Sequence, residues 1–185
     1  PAQLEIELTS GGARWVPAPA SIKYADPLHA GWYRQTVSHS TVVVNGKSQE
    51  RGQPTEVAAF HAGTLFQAAR VRTTSAYPGA LLDRISVLLD VGMIDLFQVR
   101  AGVGSTVDWV LHHDGSLAAE LEMLPRLAPP VPGYQELEDV SEGRADADWR
   151  ARWALAELPA RLRADPNLHA GHARWRAGLD CSGLE

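Results

Sequence analysis

Residues 35–49, QTVSHSTVVVNGKSQ, indicate the fold class because a β-branched run meets a tight turn there. Residues 41–44 favour a strand, and Asn45-Gly46 is the dipeptide that best tolerates the two positive φ angles of a type I′ turn. The stretch therefore predicts a β-hairpin with His39 just before its first strand. Taken alone, this histidine is more typical of a hydrogen-bonded structural residue than of a ligand or catalyst, since imidazole can satisfy its nitrogens in several ways.

Strand-length segments separated by turn residues continue along most of the chain. Residues 4–8 and 149–155 alternate between apolar and charged side chains, which is the period of a strand. Together with 16 glycines and 12 prolines, this spacing predicts an all-β fold, an antiparallel β-sandwich of long strands. The candidate strands are 13–16, 41–44, 56–60, 64–73, 81–90, 93–100, 106–112, 116–123, 149–158 and 172–177.

Length and charge limit the class further. A chain of 185 residues with 45% hydrophobic content fits one domain, residues 1–185, in which the proline-rich residues 128–133 form a crossover. The formal charge of -5 provides no basic field for nucleic acid or an anionic membrane. No apolar run approaches the ~20 residues of a membrane helix, and the first residues lack the pattern of a secretion signal. The abrupt start in a strand pattern predicts a fragment of a longer protein.

Residues 24–49, YADPLHAGWYRQTVSHSTVVVNGKSQ, carry a more specific signal. They resemble the heparinase II/III-like polysaccharide lyases, including oligoalginate lyases, in which Y-G-x-P-L-x-x-x-W-Y-(K/R)-x-T leads into (S/A)-H-N-T-V-V-V-D-G-K-S-Q. AYPGALLDRISVLLDVGMIDLFQVRAG and VDWVLHHDGSL are similar to later family segments, so the resemblance covers roughly residues 4 to 135. It implies a substrate cleft between an N-terminal α-helical toroid and a C-terminal antiparallel β-domain, and this chain is similar to the second part alone.

The resemblance also implies a reaction, β-elimination at a uronic acid. A carboxylate charge is neutralised, a base removes the C5 proton and an acid protonates the departing O4. The expected substrate is an acidic polysaccharide, the expected partner is the missing helical toroid, a homo-oligomer is possible, and the expected location is periplasmic or secreted. Because the family's main acid/base tyrosine and its neutralising Asn or His lie in the helical domain, this chain alone is expected to be inactive.

His39 matches a ligand of the zinc that family members contain. A second ligand of that zinc is an aspartate after Trp-x-Pro, but here Ala18 stands at that position. A further ligand belongs to a His-x-His pair upstream of the residue that matches Leu4. Since zinc needs three or four ligands, no cofactor is expected in this chain.

Aromatic residues supply the other candidate site positions. Tyr24 matches a family tyrosine near the cleft and is a candidate catalytic residue, with packing in an irregular connection as the equal alternative. His29, Trp32 and Tyr33 are candidate substrate contacts because aromatic faces stack on sugar rings, although core packing explains them as well. Arg84, Asp108 and His112 also match family positions, where ion pairs or hydrogen bonds are the simpler explanation.

Two functions remain open. The chain is either the C-terminal β-domain of a lyase, contributing to the cleft, or a noncatalytic glycan-binding or structural and oligomerisation sandwich derived from that domain, which Ala18 favours. A domain separated from its partner should expose a large apolar surface, whereas a self-sufficient module should not.

Overall fold

The computed structural model describes residues 2–51, 54–145, 148–154 and 171–175. Three short helical turns interrupt the strands: the π-turn η1 (His29–Tyr33) and the 3-10 turns η2 (Thr36–Ser38) and η3 (Tyr134–Glu136). The strands are β1 (Leu8–Ser10), β2 (Ala13–Val16), β3 (Val42–Val44), β4 (Glu56–Ala62), β5 (Gln67–Thr73), β6 (Leu81–Leu89), β7 (Gly92–Arg100), β8 (Val107–Trp109), β9 (Ser116–Ala119), β10 (Leu124–Pro125), β11 (Ser141–Glu142), β12 (Trp149–Ala154) and β13 (Gly171–Trp175).

All the strand pairings are antiparallel. The predicted all-β, antiparallel fold class is therefore confirmed, while the face-to-face sandwich stays a prediction. The largest sheet is a meander in the order β4-β5-β6-β7. Its strands β6 and β7 pair over nine residues each, with Arg84 opposite Phe97 and Ser86 opposite Asp95.

The turn at Asn45-Gly46 has the predicted shape, but the predicted hairpin is wrong in its second strand. Asn45 and Gly46 have φ angles of 53° and 62°, and the backbone N–H of Lys47 donates to the carbonyl of Val44 at 3.1 Å. Only one bridge, Val44 to Lys47, forms across the turn. The ladder partner of β3 is β8, where Val43 lies opposite Asp108.

The alternating segment at residues 4–8 is also not a strand as predicted, since β1 begins only at Leu8. Leu4 has a φ of 56° and is buried, while the Ile6 N–H donates to the Ser40 carbonyl at 3.3 Å. Residues 4–8 therefore run beside the residues that precede β3, and the Leu4 side chain packs in the core. The core cluster comprises Leu4, Val42, Val44, Ala76, Tyr77, Ala80 and Leu82, with Val71, Phe97, Val99 and Ala101 against it.

The C-terminal part forms a smaller sheet in the order β13-β12-β9. The predicted strands at 149–158 and 172–177 correspond to β12 and β13, and residues 155–158 and 176–177 lie outside the described residues. Residues 128–133 lie between β10 and β11, which pair with each other. The single domain over 1–185 and the crossover at 128–133 stay predictions. Among the described residues, no helix has the length and apolar character to cross a membrane.

Candidate functional site

The π-turn η1 positions the aromatic candidates. Before it, Asp26 accepts two backbone N–H groups, from Leu28 on its side chain and from His29 on its carbonyl, both at 2.9 Å. The turn closes where the Arg34 N–H donates to the His29 carbonyl at 3.1 Å, five residues back. Single π-turns are rare and are frequent at functional sites. This one places His29 and Trp32 in contact with two different neighbours.

The outer contact of η1 is a pair of rings formed by Tyr24 and His29. Their centroids lie 4.4 Å apart with the planes tilted by 50°. Tyr24 is 89% exposed, and in the described part of the chain its hydroxyl has no hydrogen bond. The candidate catalytic tyrosine therefore presents a polar tip to solvent from a ring supported on one face by an imidazole.

The inner contact of η1 joins Trp32 to His112. The two rings meet edge to face, 5.8 Å between centroids and 86° between planes. The Nε2–H of His112 donates to the Val37 carbonyl at 2.8 Å, and its backbone N–H donates to Ser40 Oγ at 3.1 Å. Burial lowers the pKa of His112, and the Val37 carbonyl opposes that shift without cancelling it. The imidazole is therefore neutral at pH 7.

Tyr33, the third candidate sugar contact, is half-buried in the same turn. The ring pairs of η1 are Tyr24 with His29 and Trp32 with His112, so the structure brings two of the three candidate sugar contacts into aromatic pairs. Among the described residues Tyr33 forms no such pair.

His39 has a carboxylate partner that the sequence did not predict. Its Nδ1 lies 3.0 Å from Glu5 Oε1, and the two side chains are 17% and 20% exposed. A carboxylate only accepts, so Nδ1 of His39 carries the hydrogen in this bond. The alternating pattern at residues 4–8 put Glu5 on the face opposite to Leu4 and Ile6 and gave it no partner. In the structure Glu5 lies beside His39. The preceding residue, Leu4, has a left-handed backbone conformation there, which no sequence signal indicates.

The described residues do not fit the zinc site that the resemblance implies. Ala18 lies half-buried just after β2 and offers no ligand atom. The Nε2 of His112 donates to a carbonyl and so offers no lone pair to a metal. The contact of His39 Nδ1 with Glu5 does not prevent ligation through Nε2, but His39 has no second ligand beside it at the Ala18 position. Within residues 2–51, 54–145, 148–154 and 171–175, no three His, Cys, Asp or Glu side chains are grouped so that they could hold a metal ion.

Two polar contacts fasten the surroundings of this site. Arg84 on β6 donates two hydrogen bonds to Asp95 on β7, at 2.8 and 2.7 Å. The Tyr134 hydroxyl in η3 donates to Asp108 on β8 at 2.5 Å, and burial together with this bond raises the pKa of Tyr134. Arg84, Asp108 and His112 thus all take part in the kind of ion pair or hydrogen bond expected for them.

Comparisons with known proteins agree with one another. A family model described as heparinase II/III-like, C-terminal, matches residues 2–157. An exo-oligoalginate lyase of Saccharophagus degradans is 28% identical over 174 residues, covering 82% of this chain and 23% of that protein. An alginate lyase of Stenotrophomonas maltophilia is 33% identical over 125 residues, covering 57% of this chain and 17% of that protein. The chain thus spans less than a quarter of the length of these curated relatives.

Proposed function

The chain belongs to the heparinase II/III-like C-terminal family, and from this premise we propose that it is the β-domain of a polysaccharide lyase. In this proposal it contributes one wall of a cleft in which a uronic-acid-containing polysaccharide is cleaved by β-elimination. A helical domain carries the remaining catalytic groups, and the reaction takes place in the periplasm or outside the cell. Alginate is the first substrate to test, because both relatives are named for it.

The exposed Tyr24 ring on His29 is the observation that carries this proposal. A phenol held on an imidazole face, with its hydroxyl directed to solvent, is suited to contact a sugar or to transfer a proton at the cleft. Lys23 and Arg34 are exposed on either side of this pair along the chain. Their positive charges suit a substrate whose every acidic sugar carries a carboxylate.

Apolar residues at the tip of the β4–β5 hairpin support a docked partner domain. Phe60, Leu65 and Phe66 are all exposed there, and Phe66 stacks on His61 with centroids 4.6 Å apart. Exposed apolar groups of this size are typical of surfaces that another domain or protein covers. We propose that the helical domain of the full-length protein covers this tip.

Ala18 favours the second candidate function, a noncatalytic glycan-binding or structural module derived from the same domain. With alanine at the position of the aspartate ligand, the zinc that family members contain has lost one of the three or four ligands it needs. We propose that this chain works without zinc in either case. The full-length protein, purified and measured for metal by mass spectrometry, should then hold well under one zinc per chain, whereas a stoichiometric zinc that the His39→Gln variant loses would refute this.

The two functions are separated by an activity assay on the full-length protein. β-Elimination leaves a 4,5-unsaturated sugar, which absorbs near 235 nm. Alginate, heparan, hyaluronan and chondroitin oligosaccharides are the substrates, and the lyase proposal expects absorbance to rise with at least one of them. If none is cleaved while binding persists, the noncatalytic module is the better account.

The Tyr24→Phe variant tests the residue itself. It keeps the ring that stacks on His29 and removes only the exposed hydroxyl, so folding should be unchanged while kcat falls by about a hundredfold or more if the hydroxyl transfers a proton. Tyr33→Phe is the comparison, since it removes the hydroxyl of a half-buried tyrosine in η1 that is a candidate sugar contact and not a candidate proton donor. A smaller fall in kcat is expected for it than for Tyr24→Phe. Equal activity of Tyr24→Phe and the unaltered protein would remove Tyr24 from the mechanism.

A further inference from the structure

We infer that Arg84 is a positioning residue that holds Glu5 and His39 at hydrogen-bonding distance from each other. The inference rests on the proposed function only for the test that measures activity. Arg84 lies in the middle of β6 on the face of the sheet that meets the core, and it is 3% exposed. Among the described residues, no hydrogen bond or ion pair joins it to either side chain of the pair. Its influence passes through the two backbone segments that carry them.

The guanidinium is fixed from the sheet side. Its Nε and one terminal nitrogen donate to both oxygens of Asp95, at 2.8 and 2.7 Å, and Ser86 Oγ donates to the same carboxylate at 3.1 Å. The Phe97 ring lies 4.8 Å from the guanidinium carbon. A bidentate pair with a cation–π contact leaves the planar group no freedom to rotate.

The remaining terminal nitrogen, Nη1, connects two segments that are distant in sequence. It donates to the Leu4 carbonyl at 2.5 Å and to the Ser40 carbonyl at 2.8 Å. Leu4 directly precedes Glu5, and Ser40 directly follows His39. One buried nitrogen thus holds the peptide next to each partner of the 3.0 Å pair.

Two local features make this contact decisive for the site. Leu4 has a left-handed φ of 56°, which costs roughly 1–2 kcal/mol for a residue with a Cβ and persists only where surrounding contacts impose it. Ser40 also accepts from the backbones of Ile6 and His112. Movement of the Ser40 peptide would therefore shift His39 and His112 together.

The Arg84→Lys variant of the full-length protein tests this role. Lysine keeps the charge but has no planar fork, so it cannot hold Asp95 and both carbonyls at once. Arg70→Lys is the matched control, because Arg70 makes the same bidentate contact with Asp83 on the same sheet, at 2.9 and 2.6 Å. Arg70 does not reach either site segment among its described contacts.

Two readouts are measured on both variants. The first is carbethoxylation of single histidines by diethyl pyrocarbonate, located by peptide mass spectrometry. His39 should react several-fold faster in Arg84→Lys than in Arg70→Lys, while His61 in β4, which is outside the contacts described for both arginines, serves as the internal reference. The second is steady-state kinetics, where kcat should fall by between about tenfold and a hundredfold with KM little changed, as for misplaced groups.

Equal His39 reaction rates in the two variants would overturn the positioning role. If the unaltered protein cleaves no polysaccharide, the proposed function fails, but the histidine chemistry still decides the role of Arg84. Should Arg84→Lys not fold, Asp95→Asn takes its place, because it keeps the shape of the partner and weakens its hold on Arg84. The same increase at His39 is then expected, and its absence counts against the inference.

Discussion

The four-stranded sheet and the site segment are assembled in opposite ways. In the sheet, β4 to β7 follow one another in sequence and in space, joined by short turns. In the site, the deciding contacts span 34 residues between Glu5 and His39 and 80 residues between Leu4 and Arg84. The sheet forms from residues that are close in sequence. The site forms where buried polar side chains of the sheet hydrogen-bond to irregular backbone segments that are distant in sequence.

The largest effect that tests this contrast is expected at Gly133, which closes the proline-rich segment against the site. Its φ is 89°, and an added Cβ would lie 2.5 Å from a methyl of Val37, the residue whose carbonyl receives His112. Gly133→Ala should lower the free energy of unfolding by about 2–5 kcal/mol, from left-handed strain together with overpacking.

Gly104→Ala provides the control for that substitution. Gly104 has a similar φ of 82°, but nothing lies within 4 Å of an added Cβ. Only the strain remains, so about 1–2 kcal/mol is expected. Chemical denaturation measures both variants, and equal losses would mean that η3 does not pack on the site as closely as described.

The same contrast explains what the sequence could predict. The strands predicted at 81–90 and 93–100 are found at Leu81–Leu89 and Gly92–Arg100, because alternation and turn residues are local signals. The pairing of β3 with β8 and the left-handed Leu4 depend on partners 60 or more residues away. The family motif indicated His39 and Tyr24 and the candidate contacts His29, Trp32 and Tyr33, but not the π-turn that carries the last three. Nothing in it indicated Glu5, because a half-buried carboxylate and an exposed one look alike in an alternating stretch.

A smaller effect is expected at Tyr77, where the core meets the turn after β3. Its hydroxyl is 3.0 Å from the carbonyls of Val42 and Lys47. Tyr77→Phe should cost about 1–3 kcal/mol, since it removes a buried hydroxyl that bonds to two carbonyls. Denaturant unfolding at pH 7 measures this loss, and a neutral result would mean that water replaces the hydroxyl.

Tyr77 also predicts a change with alkaline pH. Burial raises its pKa to about 12 from 10.0, so the folded state favours the neutral phenol. The stabilisation is complete below pH 10 and is lost as pH rises through 12. The unaltered chain should therefore lose more stability over this range than Tyr77→Phe, and parallel curves would contradict the assignment.

A still smaller and acid-dependent effect is expected at the Arg70–Asp83 pair on the other face of the sheet. The hydrogen bonds from Arg70 lower the pKa of Asp83. The stabilisation that the ionised Asp83 contributes to the folded state is complete above the pKa of an ordinary aspartate. It is lost as pH falls through the lowered pKa of Asp83. At pH 7, Asp83→Asn should lower the free energy of unfolding by less than Tyr77→Phe does, because Arg70 is partly solvated. The variant should also make the free energy of unfolding less dependent on pH in the acid range. Glu56→Gln, in the exposed pair with Arg72, is the control and should change that dependence less.

The smallest effect is expected at Leu65, on the tip of the β4–β5 hairpin. Its side chain is 84% exposed, so Leu65→Ser should change the stability of the 185-residue chain by no more than about 0.5 kcal/mol. In the full-length protein the same substitution should weaken the packing of the helical domain if that domain covers the tip, since burying a leucine contributes roughly 1.5–3 kcal/mol. If Leu65→Ser destabilises the full-length protein more than the 185-residue chain, the four-stranded sheet is a docking surface for the helical domain. Equal, small changes would instead leave the tip facing solvent and remove the apolar surface as support for a partner domain.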